Sequence, residues 1–271
     1  MHSFEPYLAA WNLTPDGEPI VTHSSRLLPV RDDGAPAMLK IAVEPEEKFG
    51  AGLMEWWDGN GAARVLARDG NALLLERATG QRSLVSLAQS GPEGDDEATR
   101  ILCRAVAALH APRERPAPEA VPLTNWFRAL LSLTATVPHE GILAQCAATA
   151  RDLLGSPESS VILHGDIHHG NILDFGPRGW LAIDPKRLSG ERGFDYANLF
   201  CNPDSGTALA PGRLARRVAI VVEESGIEPR RLLQWIVSWA GLSAAWTISD
   251  GSPADDTLAV AHAASTELRK R

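Results

Sequence analysis

The sequence predicts an α+β protein with two lobes: a small lobe built on an antiparallel sheet with one helix, followed by a larger, mainly helical lobe. Short apolar runs separated by turn residues dominate residues 1–78, and apolar residues at helical spacing dominate residues 79–271. The chain has 271 residues, of which 44% are hydrophobic and 22% charged, which is enough for two lobes with a sizeable core. We therefore expect an N-terminal lobe over 1–78 and a C-terminal lobe over 79–271.

Composition limits the partners and the compartment. The formal net charge of −8 disfavours nucleic acid and anionic membranes as partners and favours a small cationic ligand. The N-terminus turns polar at once, without a charged and then apolar leader, and the three widely separated cysteines fit reduced thiols. Residues 232–248 are apolar but carry several polar side chains, so a buried helix is favoured over a membrane span. We expect a cytoplasmic monomer.

The first strands of the small lobe lead to a lysine in an apolar strand. Two extended runs lie within residues 19–31, and Asp32-Asp33-Gly34 is typical of a hairpin turn. The next strand, residues 37–43, carries Lys40 at its centre among Met, Leu, Ile and Val. A lysine in that setting either faces solvent from an edge strand or points into a polar cleft that holds an anion.

The helix expected after Pro45 and the two strands that follow it complete the small lobe. Glu47, in the first turn of the helix, is favoured there by the helix dipole, but it could instead reach Lys40. The runs 63–67 and 72–76 pair across a polar turn. The short connector after them, Glu76-Arg77-Ala78, is either a plain strand end or a segment whose main-chain groups would meet a purine.

The rest of the chain outside the central segment is predicted to be helical. A proline-rich and charged stretch, residues 112–122, separates the first of these helices from the others. The expected helices cover residues 98–110, 125–134, 140–154, 194–200, 211–225, 229–249 and 255–271.

The central segment, residues 161–184, carries the chemistry. An apolar strand runs into the polar loop 164–171, a second apolar run follows, and a turn at 177–179 leads to a strand that ends at Asp184. One hairpin would bring Asp166, Asn171 and Asp184 to one end of the sheet. These are hard oxygen donors that suit magnesium carrying phosphates, and phosphoryl transfer needs one carboxylate as base and an amide and a second carboxylate as metal ligands. We expect Lys40 to face Asp184 across a gap that accepts a nucleotide, and residues 185–193 to form a mobile loop.

Three other interpretations remain open at this stage. Aspartate and asparagine after a strand are ordinary turn formers. His164, Asp166, His168 and His169 could instead bind zinc or iron in a metal-dependent hydrolase, although the other histidines stand singly. A nucleotide-binding protein that has lost catalysis is the third alternative.

The order of these features resembles the aminoglycoside phosphotransferase family, whose fold is that of protein kinases. Within it, several motifs are similar to those of the streptomycin 6-phosphotransferases, and hydroxyurea-phosphorylating relatives share much of the pattern. These motifs include Thr-His-Ser-Ser at 22–25, Trp-Trp-Asp-Gly at 56–59, His-Gly-Asp-Ile-His-His at 164–169, Arg-Gly-Trp-Leu-Ala-Ile-Asp-Pro at 178–185 and Phe-Asp-Tyr-Ala-Asn at 194–198.

The resemblance implies a magnesium-dependent kinase that uses ATP. Asp166 would be the catalytic base, positioned by His164, and Asn171 and Asp184 would bind Mg²⁺. The remaining implied ATP contacts are Lys40 with its partner Glu47, Ser24 and Ser25 over the phosphates, and the connector residues Glu76, Arg77 and Ala78. No Gly-x-Gly-x-x-Gly is present, and Pro185 and Lys186 stand where protein kinases carry phenylalanine and glycine. An activation-loop switch is therefore not expected.

The same resemblance implies that the acceptor is streptomycin, phosphorylated at the 6-hydroxyl of its streptidine ring, with hydroxyurea or another small acceptor as the alternative. Carboxylates bind the guanidinium groups of streptomycin in bidentate fashion, and tryptophan can stack on a cation. Asp195 is expected first to tie the following helix to the catalytic loop and only second to contact the acceptor. The candidate acceptor contacts are Glu191, Asp195, Asp204, Asp250, Trp239 and Trp246.

Overall fold

The computed structural model describes residues 3–43, 45–136 and 141–271, without the side chains of residues 45–49 and 136. The architecture is α+β, as predicted: an antiparallel sheet comes first and a mainly helical region follows. None of the helices in the described part of the chain is long and apolar enough to cross a membrane.

The small lobe contains one six-stranded antiparallel sheet and two helices. Its strands are β1 (Thr14–Pro15), β2 (Ile20–Val21), β3 (Ser25–Asp32), β4 (Ala35–Ala42), β5 (Val65–Asp69) and β6 (Ala72–Glu76), in the order β1-β3-β4-β6-β5 with β2 paired to β3. Helix α1 spans Glu5–Ala10 and helix α2 spans Pro45–Trp57. The predicted hairpin turn is present, with Asp33 and Gly34 both at positive φ.

The alternation of side chains along β4 decides where its lysine points. Leu39 and Ile41 are fully buried on one face of the sheet, in a cluster that α1 covers. Lys40 therefore lies on the opposite face, where its register partner is Leu73. That second face packs against α2 and the large lobe. The prediction that Lys40 points into a cleft follows from this alternation.

The large lobe is a helical assembly around one long helix. Its helices are α3 (Leu84–Gln89), α4 (Pro92–His110), α5 (Leu123–Trp126), α6 (Arg128–Thr136), α7 (Ile142–Gly155), α8 (Phe194–Ala197), α9 (Ser205–Ala208), α10 (Arg213–Ser225), α11 (Pro229–Ser249) and α12 (Asp255–Leu268). Helix α11 buries side chains on nearly every turn and packs against α6, α7, α8 and α12. The predicted core helix is thus confirmed, with Pro229 in its first turn.

The central segment folds as two ladders instead of the one hairpin predicted. The strands of this region are β8 (Ser160–Leu163), β9 (Ile172–Asp174) and β10 (Trp180–Ala182), joined by β7 (Val121–Pro122) from earlier in the chain and β11 (Leu188–Glu191) from just after it. Strand β9 pairs with β10, as expected, whereas β8 pairs with β11 in a separate sheet that includes β7. The prediction that residues 185–193 form a mobile loop is wrong. They contain β11, and two of its side chains, Leu188 and Glu191, are buried.

The two lobes share packed contacts. Ala62 forms a parallel bridge with Ala182 of β10, and the backbone N–H of Ala63 donates to the carbonyl of Ala182 at 2.9 Å. The indole of Trp57 donates to the Leu109 carbonyl at 3.2 Å. These contacts fix the end of α2 against the large lobe. The boundary between residues 78 and 79 remains a prediction.

Candidate active site

The loop that follows β8 depends on a glycine. Gly165 has φ of +87°, and a Cβ atom there would lie 2.8 Å from a methyl carbon of Leu188. The backbone N–H of Lys186 donates to the carbonyl of His164 at 2.7 Å. Only a residue without a side chain permits this close approach and this φ, so Gly165 lets the loop lie against the segment that enters β11.

The carboxylate of Asp195 binds the backbone of the same loop. Its side chain is fully enclosed; one carboxylate oxygen accepts from the backbone N–H of His164 at 2.8 Å and the other from that of Gly165 at 2.7 Å. His110 Nε2 lies 2.8 Å from Asp195 Oδ2, the same oxygen that accepts from the backbone N–H of His164. With only 1% of Asp195 exposed, its suggested second role as an acceptor contact is wrong, and its geometry is that of a loop anchor.

His164 connects the loop to the strand that carries Asp184. Its Nε2 lies 2.8 Å from the carbonyl of Ile183, which can only accept, so this nitrogen carries the proton. Its Nδ1 then accepts from the backbone N–H of Asp166 at 3.2 Å. The ring stacks on Trp57, and burial lowers the pKa of His164, which keeps the imidazole neutral. His164 therefore orients Asp166 through the backbone.

Two amide groups hold the carboxylate of Asp166. Asn198 Nδ2 donates to Oδ1 at 2.9 Å, and Asn171 Nδ2 contacts Oδ2 at 3.3 Å. Asn202 in turn donates to the side-chain oxygen of Asn198 at 2.8 Å. The Asp166 side chain is 29% exposed, so it can still accept a proton from a bound hydroxyl. Asn198 was missed as a site residue, although it follows Asp195 by one helical turn, a spacing that places both on the same face.

Lys40 and Asp184 meet at the cleft between the lobes. Lys40 Nζ lies 2.6 Å from Asp184 Oδ1, and the lysine is almost completely buried. Asp184 has φ of +60°, a left-handed conformation that aspartate tolerates better than most residues. The two residues share one side of the sheet, as predicted, but the expected gap between them is closed by the ion pair, and the cavity there is only about 10 Å³. A nucleotide bound in this cleft would have to place its phosphates beside this pair or displace it.

The donor set at Asn171 and Asp184 fits a hard divalent cation. Asn171 uses its amide nitrogen toward the backbone carbonyl of Asp166 at 2.9 Å, which leaves its amide oxygen as a donor to metal. Asp184 engages one oxygen with Lys40 and is about one-third exposed. An amide oxygen and a carboxylate are ligands that Mg²⁺ accepts.

The turn at residues 22–25, which was predicted to cover the phosphates, forms hydrogen bonds between its own residues. Thr22 Oγ1 bonds with both the backbone N–H and the carbonyl of Ser25, and the Ser24 carbonyl accepts from Val43. Ser25 is buried, and its hydroxyl has no hydrogen-bond partner within the described parts of the chain. Glu47, the predicted partner of Lys40, lies outside the described side chains, so that pairing stays a prediction.

The connector side chains are already engaged. The carboxylate of Glu76 accepts from the backbone N–H of Arg64 at 2.6 Å and pairs with Arg178. Arg77 pairs with Asp16, and Ala78 packs against the core. Any contact of this segment with a nucleotide base must therefore use main-chain groups, as the sequence analysis expected.

A cavity of about 620 Å³ is lined by Lys186, whose ammonium lies 3.9 Å from Asp166 Oδ2, and two of the six predicted acceptor contacts, Trp246 and Asp250, also line it. It is lined by Asn125, Trp126, Ala129, Lys186, Trp246, Ser249 and Asp250. The rings of Trp126 and Trp246 pack edge to face with centroids 5.5 Å apart. Trp126 and Asn125 were not predicted, because neither belongs to a charged or motif-like pattern.

The other predicted acceptor contacts have structural partners away from this cavity. Glu191 is buried and binds the guanidinium of Arg231 at 2.6 Å and the indole of Trp235 at 2.6 Å. Asp204 caps α9 through the N–H of Thr207, and Trp239 is 8% exposed within the core. The predictions for Glu191 and Trp239 are therefore wrong, since both side chains are buried, whereas Asp204 is exposed and its contact with an acceptor stays a prediction.

The histidines do not form the metal cluster of a hydrolase. Both ring nitrogens of His164 are engaged, His168 Nδ1 accepts from the Gly170 N–H at 3.0 Å, and His169 is buried. Within residues 3–43, 45–136 and 141–271, no group of three or more histidine, cysteine, aspartate or glutamate side chains is arranged to hold a metal. The described residues therefore do not form the metal site that the hydrolase alternative requires.

Comparison with known proteins gives concordant findings. Residues 10–251 match the model of the aminoglycoside/hydroxyurea antibiotic resistance kinase family. The chain is 54% identical to a streptomycin 3''-kinase of Klebsiella pneumoniae over 89% of this chain and 91% of that one, and 33% identical to a streptomycin 6-kinase of Streptomyces glaucescens over 94% and 85%. It also superposes on a thermostable mutant of aminoglycoside phosphotransferase APH(4)-Ia in ternary complex with ADP and hygromycin B, with a TM-score of 0.65 and 13% identity over 98% and 97% of the two chains. The predicted protein-kinase-like fold is confirmed.

Proposed function

The chain belongs to the aminoglycoside/hydroxyurea antibiotic resistance kinase family, and on that premise we propose that it is an ATP-dependent streptomycin O-phosphotransferase. The observation that carries the proposal is the arrangement around Asp166. Asn171, proposed with Asp184 as a metal ligand, contacts Asp166 Oδ2, and Lys186, 3.9 Å from the same oxygen, lines a cavity of about 620 Å³ together with two tryptophans and Asp250. This arrangement supports a nucleotide near the Lys40–Asp184 pair and an acceptor in the aromatic-lined cavity.

The chain's own residues supply binding, orientation and proton transfer. Asp166 accepts the proton of the acceptor hydroxyl while Asn198 and Asn171 keep its two oxygens in place. Lys40 binds phosphate oxygens of ATP, the phosphoryl-donor substrate. Asn171 and Asp184 would hold Mg²⁺, which neutralises charge on the triphosphate. On the acceptor side, Asp250 pairs with a guanidinium group and the tryptophans pack against the sugar rings.

Two hydroxyl groups of streptomycin are candidates. The 6-hydroxyl followed from the sequence motifs. The identity of 54% to a streptomycin 3''-kinase, against 33% to a streptomycin 6-kinase, favours the 3''-hydroxyl as the acceptor oxygen. We therefore propose 3''-phosphorylation, with the 6-hydroxyl as the second candidate.

Product analysis tests the proposal directly. Purified protein, MgATP and streptomycin should give ADP and a monophosphorylated antibiotic, and phosphorus–proton correlation NMR should assign the phosphate to one carbon. A panel with hydroxyurea, other aminoglycosides and small alcohols measures selectivity. A phosphate on the 6-oxygen would replace the 3'' assignment, and transfer to hydroxyurea alone would contradict the streptomycin proposal.

A further inference from the structure

Lys186 occupies a boundary position in the site. It lies two residues after Asp184, and its ammonium is 3.9 Å from Asp166 Oδ2. Its side chain is 22% exposed and lines the acceptor cavity. The hydrogen bond from its backbone N–H to the His164 carbonyl fixes the start of this side chain relative to the catalytic loop. Lys186 thus stands where the acceptor cavity meets the proposed base.

A positive charge at this position does not suit the acceptor. Among the described residues that line the cavity, Lys186 carries the only positive charge and Asp250 the only negative one. Streptomycin is cationic, so an ammonium on the cavity wall repels it. The ammonium lies 3.9 Å from Asp166 Oδ2, beyond hydrogen-bond distance, while amide groups hold both oxygens of that carboxylate, so Lys186 lies beside the proposed base without replacing either amide contact.

The group that does need a cation here is the phosphoryl group in transfer. We propose that Lys186 is a catalytic residue that contacts the non-bridging oxygens of the γ-phosphoryl group of ATP while it moves to the acceptor. This inference rests on the proposed kinase function. It also gives a role to the segment Asp184-Pro185-Lys186, in which the resemblance to protein kinases breaks down.

The transfer step balances without a change in the lysine. The acceptor oxygen forms a bond to the γ-phosphorus, and the bond from that phosphorus to the oxygen bridging to the β-phosphate breaks. The electron pair of the broken bond stays on ADP, and the hydroxyl proton passes to Asp166. Lys186 remains protonated throughout and stabilises charge on the three equatorial oxygens, as an arginine finger supplied in cis does.

Nucleotide binding in the absence of acceptor tests the contact separately from turnover. The probes are MgADP and the magnesium complex of β,γ-imido-ATP, and the variants are Lys186→Met and Lys186→Gln, with Lys270→Met, an exposed position after the end of α12, as the control. We expect both Lys186 variants to keep the MgADP Kd within about twofold and to weaken the imido-ATP complex by roughly 10- to 100-fold, the loss typical of a charged hydrogen bond. Lys186→Arg should recover part of this difference.

Steady-state kinetics gives a second, independent readout. The kcat with streptomycin should fall by about 100-fold or more in Lys186→Met, with no rise in the KM for streptomycin. Equal weakening of both nucleotides, no weakening of either, or a rise in the streptomycin KM alone would overturn the assignment. Wild-type protein that binds neither nucleotide would instead overturn the proposed function. Retained MgADP affinity shows that a variant is folded. Two substitutions, Lys186→Met and Lys186→Gln, are used so that the test remains possible if one variant does not fold.

Discussion

The carboxylate of Asp166 has two unlike neighbours at its two oxygens. Asn198 makes the shorter contact and reaches from the helical turn after Asp195, whereas Asn171 makes a longer contact and also bonds to the Asp166 carbonyl. Neutral amide donors leave the carboxylate charged and fix its direction. This combination is what a general base requires.

Replacing Asp166 with asparagine removes the proton acceptor and keeps the shape. We expect kcat to fall by about 10²- to 10⁴-fold, with the MgADP Kd nearly unchanged. A coupled assay of ADP release and calorimetry with MgADP measure the two quantities. Asp256→Asn, at an exposed position on α12, serves as the control. Turnover that stays at the wild-type level in Asp166→Asn would exclude Asp166 as the base.

Asn198 acts through Asp166, so its loss should affect the rate more than binding. In Asn198→Ala we expect kcat to fall by about tenfold, as for the loss of one hydrogen bond to a charged group, with the streptomycin KM unchanged. Asn202→Ala removes only the group that holds Asn198 and should have a smaller effect. If Asn198→Ala raises KM and leaves kcat alone, its role lies in acceptor binding.

The three cysteines are free, as predicted, and Cys103 and Cys146 are buried. Burial raises the pKa of each thiol, including that of Cys201, to about 12. Since the thiolate is the reactive form, a colourimetric disulfide reagent at pH 8 should react very slowly with the native protein. After denaturation, the same reagent should react rapidly with all three thiols. A rapid reaction in the native state would contradict this burial.

At the scale of elements, a buried arginine joins three parts of the large lobe. Arg217 on α10 binds Asp95 near the start of α4 through both Nε and Nη2 and donates to the carbonyls of Leu199 and Asn202. Both charged side chains are almost completely buried. Removing Arg217 leaves the buried Asp95 with Arg213 as its remaining charged partner and leaves the two carbonyls without their donor, and weakening a buried charged network in this way is strongly destabilising.

The neighbouring residue on the same helix provides a matched control. Arg216 pairs with Asp96, but in an exposed position. We expect Arg217→Met to lower the free energy of unfolding by about 3–5 kcal/mol and Arg216→Met by less than about 1 kcal/mol. Urea denaturation followed by circular dichroism measures both. Similar losses for the two variants would show that burial does not distinguish these ion pairs.

Some elements could be predicted from local sequence and others could not. Helix α11 lies at its predicted bounds, because its proline start and its continuous apolar face are local signals. Strand β11 was predicted as a mobile loop because Lys186-Arg187-Leu188-Ser189-Gly190-Glu191 lacks apolar alternation. It is ordered by non-local groups: its ladder with β8, the packing of Leu188 and the ion pair between Glu191 and Arg231.

At the scale of the whole molecule, the site is made by both lobes. Lys40 comes from the small-lobe sheet, whereas Asp166 and Asp184 come from the segment after residue 160, and bound nucleotide would contact both sides. A ligand that binds only the folded state stabilises it, by about 2.7 kcal/mol at a concentration of 100 times its Kd. We therefore expect MgADP to raise Tm by several degrees.

Two changes should remove that stabilisation. Chelation of magnesium, or the variant Asp184→Ala, should abolish most of the MgADP-dependent rise in Tm measured by differential scanning fluorimetry, because the phosphates then lack their counterion. Glu267→Ala, in the last turn of α12, should leave the rise intact. A normal rise in Tm in Asp184→Ala would refute the metal assignment. Separately, size-exclusion chromatography on the same samples tests the prediction that the protein is a monomer.

The sequence by itself determined the α+β class and predicted the candidate set Lys40, Asp166, Asn171 and Asp184, because side-chain periodicity and motif spacing are local properties of the chain. The tertiary structure decided what depends on distant contacts. Strand β8 pairs with β11 instead of lying in a hairpin with β10, Glu191 and Asp195 are interior anchors, and Lys186 meets Asp166 beside the acceptor cavity. A charged residue in a loop has the same local sequence signal whether it faces a ligand or a buried partner. Only the packing of elements far apart in the chain distinguishes these two cases.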